Sequence, residues 1–529
     1  AALSVAASAF LLTAASSKFL LSSQHQESSP SGHTTSLEAA QAEWLSSSRD
    51  LARSILLARP ASELSAEEHL RIALWTIWPD IEDVAHFRSA EAKRADLSAE
   101  SSNILEAVEP AFRAVPDHGA AADRLFHLAS TSPSLLALDV LFQAEVRAGR
   151  ANSALVTAER LRREHPSYLG GRDRLATALA LLGRVPEAIA TWRSCIAPGV
   201  SATGCRRNLA EIYSSEGRCA ELVALQREGL HLAPESLNTM WSLANGVFEL
   251  TRKPEAVQGL IDKIASKGGL DTESNDEVSM AVLRGDLRYA ETRARAWYES
   301  SRARGDEAPL SEAARVLGYI LIETAQREQV VRLAKEYDDT LLSSIRDPSF
   351  DSTFLAPLLL HLSSSLSDEA FEAARARWLR SFRERPPRIN QEQTVWFIAY
   401  GLPIMSSDDA VRALEEFRRL PSFFDPLSRT AMHDLAVGRM FRRAGDLRSA
   451  REPLERAVRA CASIWIPMEK TWATLELAEL LAESDEPSLA CTHVREVQRR
   501  WGSDTRSVTS AAANKLDSFL NCHQYEKEK

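Results

Sequence analysis

The chain has 529 residues, of which 26% are charged and 7% aromatic, and its formal net charge is -10. Its 63 basic and 73 acidic residues are interspersed, so neither sign forms the long block typical of a nucleic-acid-binding surface. We therefore expect no nucleic-acid partner. The abundance of Ala, Leu, Glu and Arg favours long amphipathic helices over strands.

The first stretch, residues 1–22, is apolar and carries a single charge, at Lys18. About 17 to 21 of these residues, as a helix rising about 1.5 Å per residue, would reach roughly 26–31 Å, close to the thickness of a bilayer core. The stretch predicts a membrane anchor, with a cleaved signal region or a buried helix as the alternatives. Residues 23–36 are rich in Ser, Gln and His, which is typical of a flexible linker.

Residues 37–134 have weaker periodicity and are interpreted as an N-terminal helical cap or degenerate repeats. Ser65 and Glu68 match a capping box, which predicts a helix start at that point. The outer units of a repeat stack are often degenerate, because they must cover its exposed apolar end.

A spacing of 34 residues organises the middle of the chain. Gly149, Gly183 and Gly217 follow one another at this interval, and two further steps reach Thr251 and Gly285. A small or aliphatic residue follows each mark at the same interval, namely Ala154, Ala188, Leu222, Ala256 and Ala290. Such a period indicates a solenoid, in which each unit buries its apolar face against its neighbours.

The residues within each unit resemble the tetratricopeptide repeat (TPR). With the glycine counted as position 15, the first unit starts at Leu135. Position 8 is alanine in the second and third units (Ala176 and Ala210), and position 20 is alanine in the first and second (Ala154 and Ala188). The chain is thus predicted to be all-α, a TPR-like α-solenoid (a right-handed superhelix of helical hairpins) with an N-terminal apolar helix. Five units occupy 135–304, irregular helical hairpins 305–430, and C-terminal units with a capping helix 431–525. The register returns at Ala431 and again at Thr471.

Motifs for catalysis are missing from the sequence. It has no phosphate-binding Gly-rich loop, no His-Glu-x-x-His and no Gly-x-Ser-x-Gly, so we predict no catalytic residues. The six cysteines lack the spacing of a metal site, and we expect neither a metal nor another cofactor.

The TPR resemblance implies a concave groove lined by positions 2, 5, 9, 12 and 13 of each first helix. The candidate peptide-binding residues are Asp139, Gln143, Arg147, Asp173, Thr177, Arg207, Glu211, Asn238, Trp241, Asn245, Phe248 and Glu249. In the fourth unit, Asn238 and Asn245 flank two aromatic residues and could hydrogen-bond an extended peptide backbone. The alternative is that Trp241 packs between units. Asp139 and Asp173 stand where chaperone-binding members of the family carry Lys, so the resemblance implies no capture of a C-terminal carboxylate.

Two disulfides are candidates if the anchor places the repeats outside the cytosol. Cys195 ends the second helix of one unit and Cys205 begins the first helix of the next, and these ends meet in a repeat stack. Cys491–Cys522 is the second candidate pair. The alternative for these four cysteines is that they are buried thiols. The remaining two, Cys219 and Cys461, have no evident partners.

The C-terminal stretch carries a second resemblance. Ala490-Cys491, Arg499-Arg500-Trp501-Gly502, Arg506-Ser507-Val508-Thr509 and Leu520-Asn521-Cys522 resemble the end of the repeat region of large bacterial membrane-anchored serine/threonine protein kinases. In that family a cytoplasmic kinase domain precedes one transmembrane helix and extracytoplasmic repeats. The order of anchor, linker and repeats fits, but the kinase motifs are missing from these 529 residues.

We therefore expect a protein-binding scaffold without catalysis, the sensory or docking region of a membrane-anchored bacterial signalling protein with extracytoplasmic, periplasmic repeats. Its partner would be a protein or peptide in the groove. A stand-alone secreted or anchored TPR adaptor and the repeat region of a membrane-anchored winged-helix transcription regulator are the alternatives. An enzyme or carrier with a small-molecule pocket in 345–425 is a further hypothesis.

Overall fold

The computed structural model describes residues 36–75, 81–113, 116–196, 202–234, 236–305, 307–344, 352–383, 391–420, 430–464 and 466–526. The predicted anchor, 1–22, and nearly all of the predicted linker, 23–36, lie outside these residues. None of the helices in the described ranges is both long enough and apolar enough to cross a bilayer.

The described residues form helices joined by turns and short loops, and they contain no strand. The first half comprises α1 (Ser36–Leu45), α2 (Arg49–Leu57), α3 (Ala66–Leu74), α4 (Ile81–Ala92), α5 (Ala99–Val108), α6 (His118–Thr131), α7 (Leu135–Arg147), α8 (Ala151–Glu164), α9 (Leu169–Leu181), α10 (Val185–Cys195), α11 (Thr203–Ser215), α12 (Cys219–Leu232) and α13 (Leu237–Thr251). The second half comprises α14 (Gln258–Leu283), α15 (Leu287–Arg304), α16 (Glu307–Glu323), α17 (Arg327–Ser344), α18 (Ser352–Leu362), α19 (Asp368–Arg383), α20 (Gln391–Trp396), α21 (Ser407–Phe417), α22 (Ala431–Arg443), α23 (Leu447–Arg459), α24 (Pro467–Glu483), α25 (Pro487–Trp501) and α26 (Val508–Leu520). A π-helical turn, Phe397–Gly401, extends α20.

The predicted 34-residue spacing corresponds to the turns between paired helices. Gly149, Gly183, Gly217 and Gly285 all have φ between 73° and 77°, a left-handed conformation that glycine adopts without steric cost. In the fourth unit, which has no glycine there, Arg252 takes the left-handed position with φ 56°. Each turn reverses the chain, so that consecutive helices pack against one another.

The fifth unit departs from the regular pattern. Residues assigned to the second helix of unit four and the first helix of unit five form one helix, α14, of 26 residues.

Local sequence signals determine two other features of the stack. The Ser65 hydroxyl accepts the Glu68 N–H while the Glu68 carboxylate accepts the Ser65 N–H, so the predicted capping box begins α3 as expected. At position 8 of the unit that begins at Ala431, a Cβ on Gly438 would lie 2.4 Å from Cγ of Leu454. The absence of a side chain there lets α22 and α23 approach closely.

The core extends along the stack as successive clusters, and three of them include side chains from the C-terminal region. Cys461 packs with α9–α12, Ile464 packs with α13 and α14, and Met468 and Trp501 pack with α14–α18. The C-terminal units thus fold back onto the inner face of the middle units. The chain supplies the residues that cover much of its own concave surface.

Candidate functional site

The candidate groove residues of units one and two are covered by the N-terminal hairpin, α1 and α2. Asp139 is fully buried and accepts hydrogen bonds from Arg49 (2.8 Å), Arg174 (2.9 Å) and the hydroxyl of Tyr168 (2.8 Å). Burial alone would raise the pKa of Asp139, but Arg174 and Arg49 overcome it and lower the pKa to about 2. This carboxylate is part of an internal ion network and is closed to a ligand.

Its neighbours at the concave positions are enclosed as well. Asp173 is buried and accepts hydrogen bonds from Arg174, from the indole N–H of Trp192 and from Asn208. The backbone of the first hairpin reaches the same place, because Gly204 N–H donates to the carbonyl of Ser47 over 2.9 Å. Gln143 and Arg147 are also buried, whereas Thr177 and Arg207 are half-buried and Glu211 is exposed.

The fourth unit does not present an open groove, because the chain's own residues occupy it. We call residues 460–464 and 466–472 the inner segment. The N–H of Ile464 donates to the Asn245 carboxamide oxygen over 3.0 Å, and the N–H of Ser463 donates to the Glu249 carboxylate over 3.2 Å. Asn245 and Glu249 therefore bind backbone N–H groups, but these belong to a turn of the same chain and not to an extended peptide.

The aromatic residues of this unit belong to the same contact. Trp241 and Phe248 are buried in one cluster with Ile464, while Asn238 is half-buried. Trp241 is thus a packing residue, as in the alternative that it packs between units, and neither ring is available to a partner's side chain.

Three disulfides fasten the stack, and no described cysteine is free. Cys195–Cys205 and Cys491–Cys522 are the two candidate pairs. Cys219 and Cys461, which had no evident partners in the sequence, are bonded to each other with Cα atoms 5.7 Å apart. Their pairing follows from the return of the inner segment to the concave face, which the repeat register does not encode.

A pocket lies at the concave positions of the C-terminal units. It has a volume of about 230 Å³ and lies between α16, the 401–405 segment, α22, α24 and the start of α26. We call it the C-terminal pocket. Its apolar walls include Tyr319, Leu402, Met432, Leu435, Trp472 and Leu475. At its edge, Met405 and Val508 are 43% and 45% exposed.

The same rule that selected the candidate groove residues finds this pocket. In the unit that starts at Ala431, positions 2, 5, 9 and 13 are Met432, Leu435, Arg439 and Arg443; in the unit that starts at Thr471, positions 2, 5 and 9 are Trp472, Leu475 and Glu479. All seven line the pocket. The sequence therefore contains a signal for this pocket, at the same repeat positions that define the candidate groove residues of units one to four.

A buried ion network forms the polar side of the pocket. Glu476 accepts hydrogen bonds from Arg439 Nε (2.6 Å), from Arg442 (2.6 Å) and from Arg443 (3.4 Å). Burial opposes the charge, but these three guanidinium groups lower the pKa of Glu476 to about 2. Glu476 is thus an ionised anchor that orients the arginines of α22.

Glu323 joins three helices at the opposite side of the pocket. It accepts hydrogen bonds from the Trp472 indole N–H (2.8 Å), the Ser507 hydroxyl (2.6 Å) and the Thr509 N–H (3.0 Å). Its position ties α16 to α24 and to the N-terminus of α26. Burial raises its pKa. The walls of the pocket are therefore fixed by hydrogen bonds as well as by packing.

Among the described residues, no group of three or more His, Cys, Asp or Glu side chains could hold a metal ion. The polar residues of the C-terminal pocket are arginines and glutamates bonded to one another. The arrangement suits binding of a ligand by apolar contact and a few oriented polar groups.

No protein-family model and no curated protein matches the chain. Solved structures that match the chain include yeast Tom70, with 11% sequence identity, coverage of 78% of this chain and 94% of that one, and a TM-score of 0.29. A human IFIT1 dimer with m7Gppp-AAAA has 13% identity, coverage of 85% of this chain and 95% of that one, and a TM-score of 0.37. The P58(IPK) TPR domain has 13% identity, coverage of 77% of this chain and 99% of that one, and a TM-score of 0.18. Because every one of these TM-scores is below 0.5, the TPR-like description rests on the chain's own 34-residue spacing and helix pairs.

Proposed function

We propose that this chain is a binding scaffold, the sensory and docking region of a membrane-anchored bacterial signalling protein of the serine/threonine kinase type, and that its ligand occupies the C-terminal pocket. The observation that carries the proposal is the location of that pocket. It lies on concave positions of two regular units, whereas the equivalent surface of units one to four is largely covered by the chain itself. Its mainly apolar walls and few oriented polar groups are those of a binding site.

The cysteines support a location outside the cytosol. All six are paired in the structure, and disulfides persist in oxidising compartments such as the periplasm. This pairing is compatible with repeats held outside the membrane by residues 1–22. It is equally compatible with a stand-alone secreted or anchored adaptor and with a membrane-anchored winged-helix regulator.

A second candidate is a small-molecule carrier with no signalling role. The 401–405 segment favours it, because Gly401, Leu402, Ile404 and Met405 close one side of the pocket. These residues belong to the irregular region 305–430 and are not part of a regular groove. Both candidates use the same pocket and differ in whether its occupation changes the activity of an attached domain.

The gene sequence immediately upstream of the codon for Ala1 distinguishes the kinase, the winged-helix regulator, the adaptor and the carrier from one another. A kinase domain followed by an apolar span would support the signalling proposal. A winged-helix domain would make this chain the sensory and docking region of a transcription regulator. A short basic leader would favour the adaptor or the carrier.

The pocket itself is tested by filling it. In the whole membrane protein, we expect Leu475→Trp to shift kinase autophosphorylation away from the wild-type level, since a larger side chain would occupy the half-buried position 5 of the last unit. Leu489→Trp, at a 49% exposed site on α25, is the matched control and should leave the activity unchanged. Wild-type activity in a folded Leu475→Trp protein would argue against the proposal.

A further inference from the structure

The C-terminal pocket contains a cationic side chain whose hydrogen-bonding capacity is mostly unused. Arg439, at concave position 9 of its unit, donates through Nε to Glu476 Oε1 over 2.6 Å. Among the described residues, its terminal nitrogens Nη1 and Nη2 donate no hydrogen bond, and Nε makes the closest contact of its ion pair with Glu476. A guanidinium group held by Nε therefore presents its outer N–H groups to the pocket, in the geometry that binds a carboxylate through two parallel bonds.

The other charged groups at the pocket have protein partners. Arg443 donates to the carbonyls of Ile404 and Met405 and contacts Glu476, and Arg442 is shared by Glu476, Glu479 and Glu483. Glu469 pairs with Arg315 over 2.9 Å. An incoming cation would meet carboxylates that already accept hydrogen bonds, from arginines or, at Glu323, from Trp472, Ser507 and Thr509. An incoming anion would meet free donors on Arg439.

Apolar residues complete the recognition surface. Met432 and Leu435 lie on the same helix as Arg439, and Trp472 and Leu475 face them from α24. The volume of about 230 Å³ is below the usual range for pockets that hold drug-sized ligands, which favours a compact ligand.

We propose that the C-terminal pocket binds a small ligand with an apolar body and one carboxylate, and that the carboxylate pairs with the terminal nitrogens of Arg439. The inference rests on the proposed function in one respect, that the ligand occupies the C-terminal pocket. It holds equally for a sensor and for a carrier, since it concerns the chemistry of the bound molecule.

The test compares three probes of one chain length, decanoate, 1-decanol and decylammonium, titrated into the disulfide-bonded protein. Methyl-labelled methionine gives a direct readout by NMR, because the chain has six methionines and two of them, Met405 and Met432, line the pocket. We expect saturable shifts of these two methyl signals, with Met240 and Met280 unaffected. Decanoate should bind roughly 10- to 100-fold more tightly than decanol, the value of a hydrogen-bonded charge, and decylammonium most weakly.

The matched variant is Arg439→Gln, which leaves Glu476 bonded to Arg442 and Arg443. It should reduce decanoate affinity to that of decanol and leave the affinity for decanol itself within about twofold. Arg448→Gln, on an exposed arginine of α23, is the control and should change neither.

Equal affinities of the wild type for decanoate and decanol would overturn the carboxylate assignment while leaving an apolar pocket. If no probe shifts Met405 or Met432, the small-ligand inference fails entirely. Neither result depends on an attached kinase, so a failure here is distinguishable from an unchanged autophosphorylation in Leu475→Trp.

Discussion

Asn245 and Ile464 are joined across 219 positions of sequence by one buried hydrogen bond, from the Ile464 N–H to the Asn245 carboxamide oxygen. Asn245 lies at concave position 9 of unit four, and Ile464 belongs to the inner segment. The bond shows how the middle of the solenoid is completed. Main-chain groups of the C-terminal region supply the contacts that a bound peptide would otherwise make.

This contact predicts a selective loss of stability in Asn245→Ala. The Ile464 N–H would remain buried without an acceptor, which costs about 1–3 kcal/mol of unfolding free energy. Asn238→Ala, half-buried on the same helix and without a side-chain hydrogen bond to the described residues, should cost less than about 0.5 kcal/mol. Urea unfolding with the disulfides intact measures both. Equal effects of the two variants would show that the inner segment contributes little to stability.

The disulfides should differ in their contributions. Cys219–Cys461 closes a loop of 242 residues and Cys195–Cys205 a loop of 10. In the chain-entropy account the first stabilises by about 5 kcal/mol and the second by about 3 kcal/mol, because a longer loop restricts the unfolded chain more. Thermal unfolding of the Cys219→Ala/Cys461→Ala and Cys195→Ala/Cys205→Ala proteins tests this order. A larger loss from the short-loop pair would contradict it.

The sequence was sufficient for the repeat turns and insufficient for the packing of the C-terminal units against the middle units. The glycine spacing is a local property, so Gly149 and Gly285 could be assigned to turns by counting. The partners of Cys219 and Asn245 could not, because their contacts depend on the accumulated curvature of several units and on the path of a loop some 200 residues later. The C-terminal pocket lies between these cases, since its repeat positions could be counted but its 401–405 wall belongs to an irregular region.

Acid should weaken the junction between the N-terminal hairpin and the repeats. The pKa of Asp139 is lowered to about 2 in the folded protein, from an ordinary value near 3.8, because Arg174 and Arg49 outweigh the effect of burial. A depressed folded-state pKa stabilises the protein above the unfolded-state value, and that stability is lost as pH falls from about 4 to about 2. Measuring the unfolding free energy across this window should therefore show a decline.

Asp139→Asn supplies the comparison for this pH dependence. It leaves Arg49 and Arg174 without their shared carboxylate, so we expect a loss of about 3–5 kcal/mol near neutral pH. The slope between pH 4 and pH 2 should become shallower than that of the wild type. An unchanged slope would assign the acid sensitivity to other carboxylates, of which Glu476, with a pKa of about 2, is the first to examine.

Alanine substitutions at two glycines of the same repeat position distinguish the cost of backbone strain from the cost of a clash with the C-terminal units. Gly149 and Gly285 have φ of 73° and 77°, so alanine at either site must adopt a left-handed conformation at a cost of about 1 kcal/mol. A Cβ at Gly149 would meet nothing within 4 Å, whereas one at Gly285 would lie 2.2 Å from the carbonyl oxygen of Arg500. The second substitution must also displace α25 or the turn.

We therefore expect Gly149→Ala to lower the unfolding free energy by about 1 kcal/mol and Gly285→Ala by about 2–4 kcal/mol, the excess being the cost of overpacking. The indole N–H of Trp501 gives a local readout, because it donates to the carbonyl of Val282 over 2.9 Å, beside the altered turn. Its hydrogen exchange should accelerate in Gly285→Ala and remain as in the wild type in Gly149→Ala. Similar exchange in the two variants would mean that the C-terminal units do not pack against this turn in solution.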